Sequence, residues 1–294
     1  MNFSAALPAL IPIALLFWFI FQEKKKRETE SKHPFREKVF RLPGEFASKK
    51  ARELAEKGEE KLYAVFIYSI FAFLLILWGS LTPATIAVTL ALVFLISALA
   101  MRSLHKHYAQ SRNWRLGALG ERVIGDQLMR EFLPLGFKVY HDIQQSRGFD
   151  DRKFNYDHIL LDHRGVFLIE TKTRSKKRGN EAFLEKISAN GNRINFPNEK
   201  FDTQIIPQLE KTAEELSEKL SKTVETSIPV YPILVYPGWD VVPDSNKAAS
   251  PLCHSHDLMS KVCAKPEKAL NEKTIGRVNN WFEEQTRSVS QGDL

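Results

Sequence analysis

Two carboxylates and an ammonium group interrupt two apolar stretches that read as neighbouring β-strands, residues 154–161 and 165–172. The charged residues are Asp157, Glu170 and Lys172. Because side chains alternate between the two faces of a strand, Glu170 and Lys172 point to the same face. Carboxylates beside an ammonium group are typical of sites that bind a cation and act on phosphate esters.

The turn between these stretches predicts their register. Residues 163–164 are a candidate two-residue hairpin loop, flanked by an aspartate and a glycine that favour turns. Such a loop pairs Leu161 with Val166 and places Asp157 opposite Glu170, with Cβ atoms roughly 4.5 to 5.5 Å apart. Like charges at that distance repel, so the pair requires a cation, and oxygen ligands suit a hard ion such as Mg²⁺ or Mn²⁺. The pattern predicts a metal-dependent phosphodiester hydrolase; the alternative is a solvated strand end with an ordinary ion pair.

Further motifs stand around this pair in a fixed order. They are Gly-Ala-Leu-Gly-Glu at 117–121 opening an amphipathic helix, a strand around 139–143, Tyr-Asp-His at 156–158, the strand 166–172, Pro-Gln at 207–208 and the strand 228–235. This order resembles the nuclease-related domain (NERD) family of the PD-(D/E)xK restriction-endonuclease-like superfamily. The resemblance covers roughly residues 114–259.

The resemblance implies a role for each candidate residue. Asp157 and Glu170 would be the metal ligands, and Glu121 would be an accessory carboxylate from the first helix. Lys172 would orient or activate the attacking water and stabilise the charge that develops on the phosphate. Gln208 would be a supporting polar residue, and the expected activity is magnesium-dependent endonucleolytic cleavage of DNA.

One departure from the family pattern leaves a second function open. The proline that names the superfamily motif is replaced by Tyr156, which is compatible with a relative that has lost activity. The alternative is a membrane-tethered nucleic-acid-binding or scaffold protein that uses the same fold without cutting. Intact Asp157, Glu170 and Lys172 favour the enzyme.

A basic turn begins two residues beyond Lys172. Its cationic side chains would hold phosphates that flank the scissile bond, by point charge and by bidentate guanidinium contacts. The alternative is an ordinary solvated loop. The residues are Arg174, Lys176, Lys177 and Arg178.

Three apolar runs predict an integral membrane protein. Residues 7–21, 62–78 and 81–101 contain no Asp, Glu, Lys or Arg, and each is near the ~20 residues that a spanning helix needs once the first is counted from Phe3. Buried core helices are one alternative. A cleaved signal peptide is another for the first run, but no basic residue precedes this run and a charged segment, 23–27, follows it, so a retained anchor is favoured.

The distribution of basic residues predicts the orientation. The segment 24–52 is rich in Lys and Arg, whereas residues 79–80 between the second and third runs are uncharged. The positive-inside rule therefore places the amino terminus outside and the carboxy-terminal domain in the cytoplasm, as expected for a multi-pass protein of a bacterial inner membrane. The net charge of +7 fits anionic lipid headgroups as well as nucleic acid. A transporter is disfavoured because the runs lack ionisable residues.

The cysteine content is low. Two cysteines, Cys253 and Cys263, are typical of a reducing compartment. With His254 and His256 they could ligate zinc, but their spacing matches no standard structural site, so an ordinary loop is favoured.

The whole chain is predicted to be an α/β protein, with a restriction-endonuclease-like core preceded by three transmembrane helices. The core order is helix, three strands, helix, strand, over residues 116–132, 137–143, 155–161, 166–173, 206–220 and 228–236. A last helix carries Ile275, Val278 and Phe282. The expected segments are a first span (1–22), a basic cytoplasmic loop (23–61), two spans (62–101), a linker (102–113), the NERD-like domain (114–287) and a disordered tail (288–294).

Overall fold

A computed structural model describes residues 40–78, 82–147, 152–176, 186–197, 200–242, 250–267 and 270–286. The chain divides into two compact units. One comprises Met1–Lys38, Glu60–Ser103 and Ser290–Leu294, and the other comprises Val39–Glu59 and Leu104–Val289. The predicted first span, the loop at 79–80 and the tail at 288–294 lie outside the described residues.

The secondary structure is mixed α/β, as predicted. The helices are α1 (Glu45–Trp78), α2 (Pro83–Glu131), α3 (Ile205–Val224), α4 (Leu258–Cys263) and α5 (Glu272–Thr286), with short 3₁₀ turns at Leu133–Leu135 and Ser255–Asp257. The strands are β1 (Lys138–Arg147), β2 (Arg152–Asp162), β3 (Gly165–Thr171), β4 (Lys186–Asn190), β5 (Arg193–Asn195), β6 (Phe201–Asp202), β7 (Val230–Val235), β8 (Asp240–Val242) and β9 (Leu252–Cys253).

The first unit, in its described part, consists of the apolar segments of α1 and α2. Thr82 begins α2: its hydroxyl accepts from the Thr85 amide at 3.4 Å, and Pro83 occupies the first helical position, where no amide is needed. Large apolar side chains point outward, including Phe66 (66 % exposed) and Phe94 (77 % exposed).

By length and composition, one helical stretch of the described residues, Pro83–Leu135, could cross a membrane, and none of its most apolar window is buried. Three spans were predicted. The run 62–78 is helical within α1 but does not reach that criterion over its described residues, and the run 7–21 is not described.

The second unit contains a five-stranded sheet in the order β1-β2-β3-β7-β9. β1, β2 and β3 are antiparallel to one another, whereas β3, β7 and β9 run parallel. The helix, three strands, helix and strand predicted from the sequence are all present in the predicted order, as α2, β1, β2, β3, α3 and β7.

Helices cover both faces of this sheet. α3 carries an apolar stripe at helical spacing, and all four of its residues are buried: Leu209, Ala213, Leu216 and Leu220. α5 adds Val278 and Phe282 to the same cluster. On the other face, α2 and α4 bury a second cluster that includes Ile124, Leu128, Leu258 and Val262. The sheet is therefore a central layer whose apolar strands need cover on two sides.

A second, four-stranded sheet was not predicted. Its order is β6-β5-β4-β8, and its strands are two to five residues long. Such strands are too short for a periodic pattern. β4 pairs with β8 in parallel, Lys186 opposite Asp240, so the pairing joins distant parts of the chain.

Two boundary predictions differ from the structure. The helix expected at 116–132 begins at Pro83, and residues 102–113, expected as a linker, are helical. Of the basic loop expected at 23–61, residues 45–61 lie in α1. Ala47, Ala51 and Ala55 are buried at helical spacing, and this stripe was the signal that would have predicted a packed helix.

Candidate active site

The β2–β3 hairpin has the register that the turn predicts. Leu161 pairs with Val166 and Asp162 with Gly165, so residues 163–164 form the two-residue loop. The last ladder pair is His158 with Ile169, and the same register places Asp157 opposite Glu170 one position further.

Asp157 is buried, with 6 % of its surface exposed, and hydrogen bonds fix its carboxylate. Oδ2 accepts from the Thr171 amide at 2.8 Å, and Oδ1 lies 3.4 Å from Asn155 Nδ2. Burial, followed by the charges of Glu170 and Glu121, raises the pKa of Asp157 well above its usual range. The carboxylate therefore lies among other negative charges.

Lys172 is the cation of this group. Its Nζ donates to Glu170 Oε1 at 2.5 Å, and its own amide donates to the Val235 carbonyl at 2.9 Å, which fixes the backbone just beyond β3. Burial by itself lowers the pKa of Lys172, but the charges of Glu170 and Asp157 outweigh it and raise that pKa overall. Lys172 is therefore a permanent cation at neutral pH.

Glu121 joins the group from α2, as the resemblance implied. It is 7 % exposed, and its Oε2 is buried without a hydrogen-bond partner in the described part of the chain. Burial, followed by the charges of Asp142 and Glu170, raises the pKa of Glu121 to about 7. A buried carboxylate oxygen without a hydrogen-bond donor costs free energy. Protonation of the carboxyl group or binding of a cation would reduce this cost.

A fourth carboxylate, Asp142 on β1, was missed from the sequence. The register of β1 and β2 places it opposite Asp157, although the ladder skips this position. Its φ is +50°, a conformation that aspartate adopts more readily than most residues. Tyr140 and Ile143 lie in the same core cluster although they are three positions apart, an odd spacing that would put them on opposite faces of a regular strand, so the in-out alternation shifts at Asp142.

Asp142 connects the site to the start of α1. Its Oδ2 accepts from the Phe46 amide at 2.9 Å, and Arg41 Nη1 lies 3.6 Å from the same oxygen. Its Oδ1 accepts from Asn155 Nδ2 at 2.8 Å, so one amide group bridges Asp142 and Asp157. Asp142 thus satisfies an amide of the first turn of α1, which has no partner within the helix.

The segment before α1 packs against α2 through small residues. A Cβ added to Gly44, which has φ +73°, would lie 2.6 Å from the Ala118 carbonyl oxygen. A Cβ on Gly125 would lie 2.7 Å from Pro43. This close approach brings the first turn of α1 to the edge of the site.

The candidate residues share one open cleft of about 730 Å³ within the second unit. α1, α2, β2, the end of β3 and α3 form its walls. Its lining includes Phe46, Trp114, Gly117, Glu121, Asn155, Asp157, Glu170, Lys172, Gln208 and Lys211.

Gln208 lies in the first turns of α3, is exposed, and lines this cleft. Of the basic turn, Arg174 stacks on the Phe196 ring, 4.0 Å from its centroid, and Lys176 Nζ lies 5.7 Å from the Trp239 ring. Arg174 and Gln208 both line a second hollow that also contains Lys172. Lys177 and Arg178 lie outside the described residues.

The donor set fits a hard divalent cation. All of its ligating atoms would be carboxylate oxygens, and the buried Glu121 Oε2 lacks a donor among the described residues. Within the described ranges, no group of three or more His, Cys, Asp or Glu side chains is placed to hold an ion. Asp157 and Glu170 would therefore be the protein ligands, a number that magnesium accepts when water and phosphate oxygens complete its coordination.

The segment around Cys253 packs into the fold rather than forming an open metal site. Cys253 is buried in β9, its Sγ lies 3.1 Å from the His254 carbonyl oxygen, and burial raises its pKa to about 11. A thiol of that pKa is a poor metal ligand at neutral pH.

Among the comparisons with known proteins, the match to a family model supports the motif assignment. No curated protein is similar enough to the chain to count as a match. The crystal structure of protein VC1899 from Vibrio cholerae is 11 % identical, with a TM-score of 0.24, and the similarity covers 85 % of this chain. The chain spans 59 % of the length of that protein. Residues 116–237 match the family model described as nuclease-related domain, which supports the NERD family for this segment and indicates a nuclease-related function.

Proposed function

We propose that the second unit hydrolyses phosphodiester bonds of DNA in this cleft. The observation that supports the proposal most strongly is the convergence of Asp157, Glu170 and Glu121 on one cleft beside Lys172. A protein that needed only stability would not bury two carboxylates, Asp157 and Glu121, whose pKa values are raised by burial and by neighbouring negative charges.

Asp157 and Glu170 would hold Mg²⁺ or Mn²⁺, with Glu121 as the accessory carboxylate behind them. When bound, the ion supplies Lewis acidity to the phosphoryl group and to the attacking water. The Thr171 amide and Asn155 hold the Asp157 carboxylate in a fixed orientation, so little reorganisation is needed.

Lys172 acts on the phosphate and the water. Because its pKa is raised, it remains protonated at neutral pH and serves as a hydrogen-bond donor rather than as a base. Its ammonium group stabilises the negative charge that develops on the phosphoryl oxygens and aligns the water. Gln208, at the opening of the cleft, orients the substrate phosphate by hydrogen bonding.

The basic turn contributes affinity rather than chemistry. Arg174, Lys176, Lys177 and Arg178 follow Lys172 closely in the chain and are proposed to contact the phosphates beside the scissile one. Such contacts are independent of base sequence and weaken as salt rises.

The test is cleavage by the full chain in detergent micelles. Closed circular, linear and single-stranded DNA are each incubated with Mg²⁺, Mn²⁺ or a chelator, beside an Asp157→Asn, Glu170→Gln double variant. We expect cleavage with either ion, and none with the chelator or the variant. Binding without cleavage under every condition would contradict hydrolysis and favour the tethered binding protein.

We further propose that the first unit anchors the protein in the inner membrane, with the catalytic unit in the cytoplasm. The apolar helix Pro83–Leu135, the outward apolar side chains of α1 and the basic residues of 24–52 support this topology. A reporter that functions only in the cytoplasm should be active when fused after Leu294 and silent when inserted at Ser80. The opposite pattern would overturn the orientation.

A further inference from the structure

The glycines of α2 differ in how much space surrounds them. Within a helix, glycine is less favourable than alanine, so each one calls for a reason. A Cβ on Gly120 would lie 2.1 Å from Thr173 Cγ2, and one on Gly125 would lie 2.7 Å from Pro43. Both positions are therefore required by packing. A Cβ on Gly117 would lie 3.9 Å from Thr173 Oγ1, its nearest described neighbour, so packing does not explain this glycine.

Gly117 lies on the face of α2 that lines the cleft. Trp114 and Glu121, three residues before it and four after it, line the same cleft. At 1.5 Å per residue, the axial distance from Trp114 to Glu121 is about 10 Å. The bare backbone at Gly117 therefore leaves a gap between an aromatic ring and the carboxylate group.

Trp114 is held in place yet accessible. Its ring packs edge to face with Phe46, with centroids 6.1 Å apart and an interplanar angle of 77°, while 38 % of the residue is exposed. Phe46 comes from the first turn of α1, whose position Asp142 fixes. On other walls of the cleft, Lys172 and Lys211 supply positive charge.

We propose that this part of the cleft binds an unpaired nucleotide, with its base stacked on Trp114 and its backbone passing over Gly117 towards Asp157 and Glu170. The substrate class is thus single-stranded nucleic acid, an inference that rests on the proposed phosphodiester hydrolysis. A base inside a duplex has both faces covered by its neighbours and cannot stack on a protein ring, whereas an unpaired base can.

The first test measures binding by the full chain in detergent, with a chelator present so that cleavage does not interfere. The ligands are a labelled 20-nucleotide oligothymidine and a blunt 20-base-pair duplex, followed by fluorescence anisotropy. We expect the single strand to bind at least tenfold more tightly. Trp114→Ala should lower that affinity about tenfold, Trp114→Phe should retain most of it, and the duplex affinity should not change.

The second test uses the glycine. Gly117→Ala should keep or raise the melting temperature, because alanine favours the helix and has room, yet weaken oligothymidine binding several-fold. Gly276→Ala is the matched control. Gly276 lies in α5 with no described atom within 4 Å of its added Cβ, so this variant should be equally well folded with unchanged affinity.

The outcomes separate the two proposals. Equal affinity for single strand and duplex, or unchanged affinity in both Trp114→Ala and Gly117→Ala, would overturn the inference even if DNA is cleaved. Single-strand binding that depends on Trp114, without cleavage in any metal, would sustain the inference and contradict hydrolysis.

Discussion

Two pairs of titratable residues occupy neighbouring positions of β1 and β2, and the two pairs differ in their hydrogen bonds and in the charges around them. In the first pair, His141 and His158 are cross-strand partners whose Nδ1 atoms lie 2.9 Å apart. Their Nε2 atoms are buried and, in the part of the chain that is described, have no hydrogen-bond partner. Burial lowers the pKa of His141 to about 4 and that of His158 well below its usual range. The histidines are therefore neutral and share one hydrogen bond.

The second pair, Asp142 and Asp157, lies one position further along. Asn155 donates to both carboxylates, and the amides of Phe46 and Thr171 each donate to one of them. Burial raises the pKa of both, to about 6 for Asp142. The charges of Glu170 and Glu121 also raise the pKa of Asp157.

The second pair includes a residue that lines the cleft, Asp157. The histidines carry no charge that a counter-ion would have to balance, because loss of the proton removes the cost of burying that charge. Asp157, by contrast, accepts hydrogen bonds and still lies beside the negative charges of Glu170 and Glu121, so a cation would stabilise it further. Both pairs are buried, and they differ in the charges that surround them.

The largest effect on cleavage is expected from variants of Asp157 and Glu170, the acid group of the cleft. Asp157→Asn and Glu170→Gln should each lower magnesium-dependent cleavage at least about a hundredfold, because each removes a ligand charge. Stability without metal should not fall, because mutual repulsion is relieved. Cleavage rates and thermal melting of purified variants check this, with the exposed Asp126→Asn as control. Normal cleavage in both variants would show that this acid group is no more functional than the histidine pair.

Lys172 should act on the transition state, and the basic turn on binding. Lys172→Ala should lower kcat and kcat/KM together, by about 10²- to 10³-fold. The Arg174→Ala, Lys176→Ala double variant should instead raise KM and reduce the log–log salt slope by about 0.9 per lost phosphate contact. Steady-state kinetics at several salt concentrations separate these effects, and an unaltered salt slope would identify the turn as merely solvated.

Glu121 should make the stability of the folded protein depend on pH. Its pKa of about 7 in the folded state exceeds the ordinary value of 4.5, so its contribution to stability is complete below about pH 4.5 and is lost as pH rises through 7. Glu121→Gln should remove this loss, so that the variant gains on the order of 2 kcal/mol over the natural protein between pH 5 and pH 8. Denaturant unfolding in a chelator, at both pH values, measures it. If the stability difference between Glu121→Gln and the natural protein did not vary with pH, Glu121 would not interact with the other charged residues of the cleft.

The histidine pair should give the smallest effect on cleavage. His141→Leu leaves the His158 Nδ1 buried without its partner and should cost about 1–3 kcal/mol of stability. The His141→Leu, His158→Leu double variant should cost less than the sum of the single variants, because no polar atom is left behind. Cleavage per folded molecule should change little. A large loss of cleavage in the double variant would show that the histidine pair also takes part in function, and would contradict the distinction between the two pairs.

The sequence predicted those parts of the site that depend on local chain geometry. The Asp162-to-Gly165 turn and strand alternation were sufficient to place Asp157 opposite Glu170, and helical spacing was sufficient for the stripe of α3. Asp142 was not predicted because its role depends on a positive φ that shifts the alternation of two strands. The small sheet was not predicted because its strands are short and pair across distant parts of the chain.

The contact between Asp142 and the start of α1 sets a limit on how the protein can be divided. A fragment cut at the edges of the family match, residues 116–237, would lack both Arg41 and the Phe46 amide, and would leave a buried carboxylate without two of its partners. It would also uncover the surface of α2 on which Pro43 and Gly44 rest. The segment that matches the family model is therefore shorter than the second unit, and a fragment that keeps these contacts has to include residues 40–59.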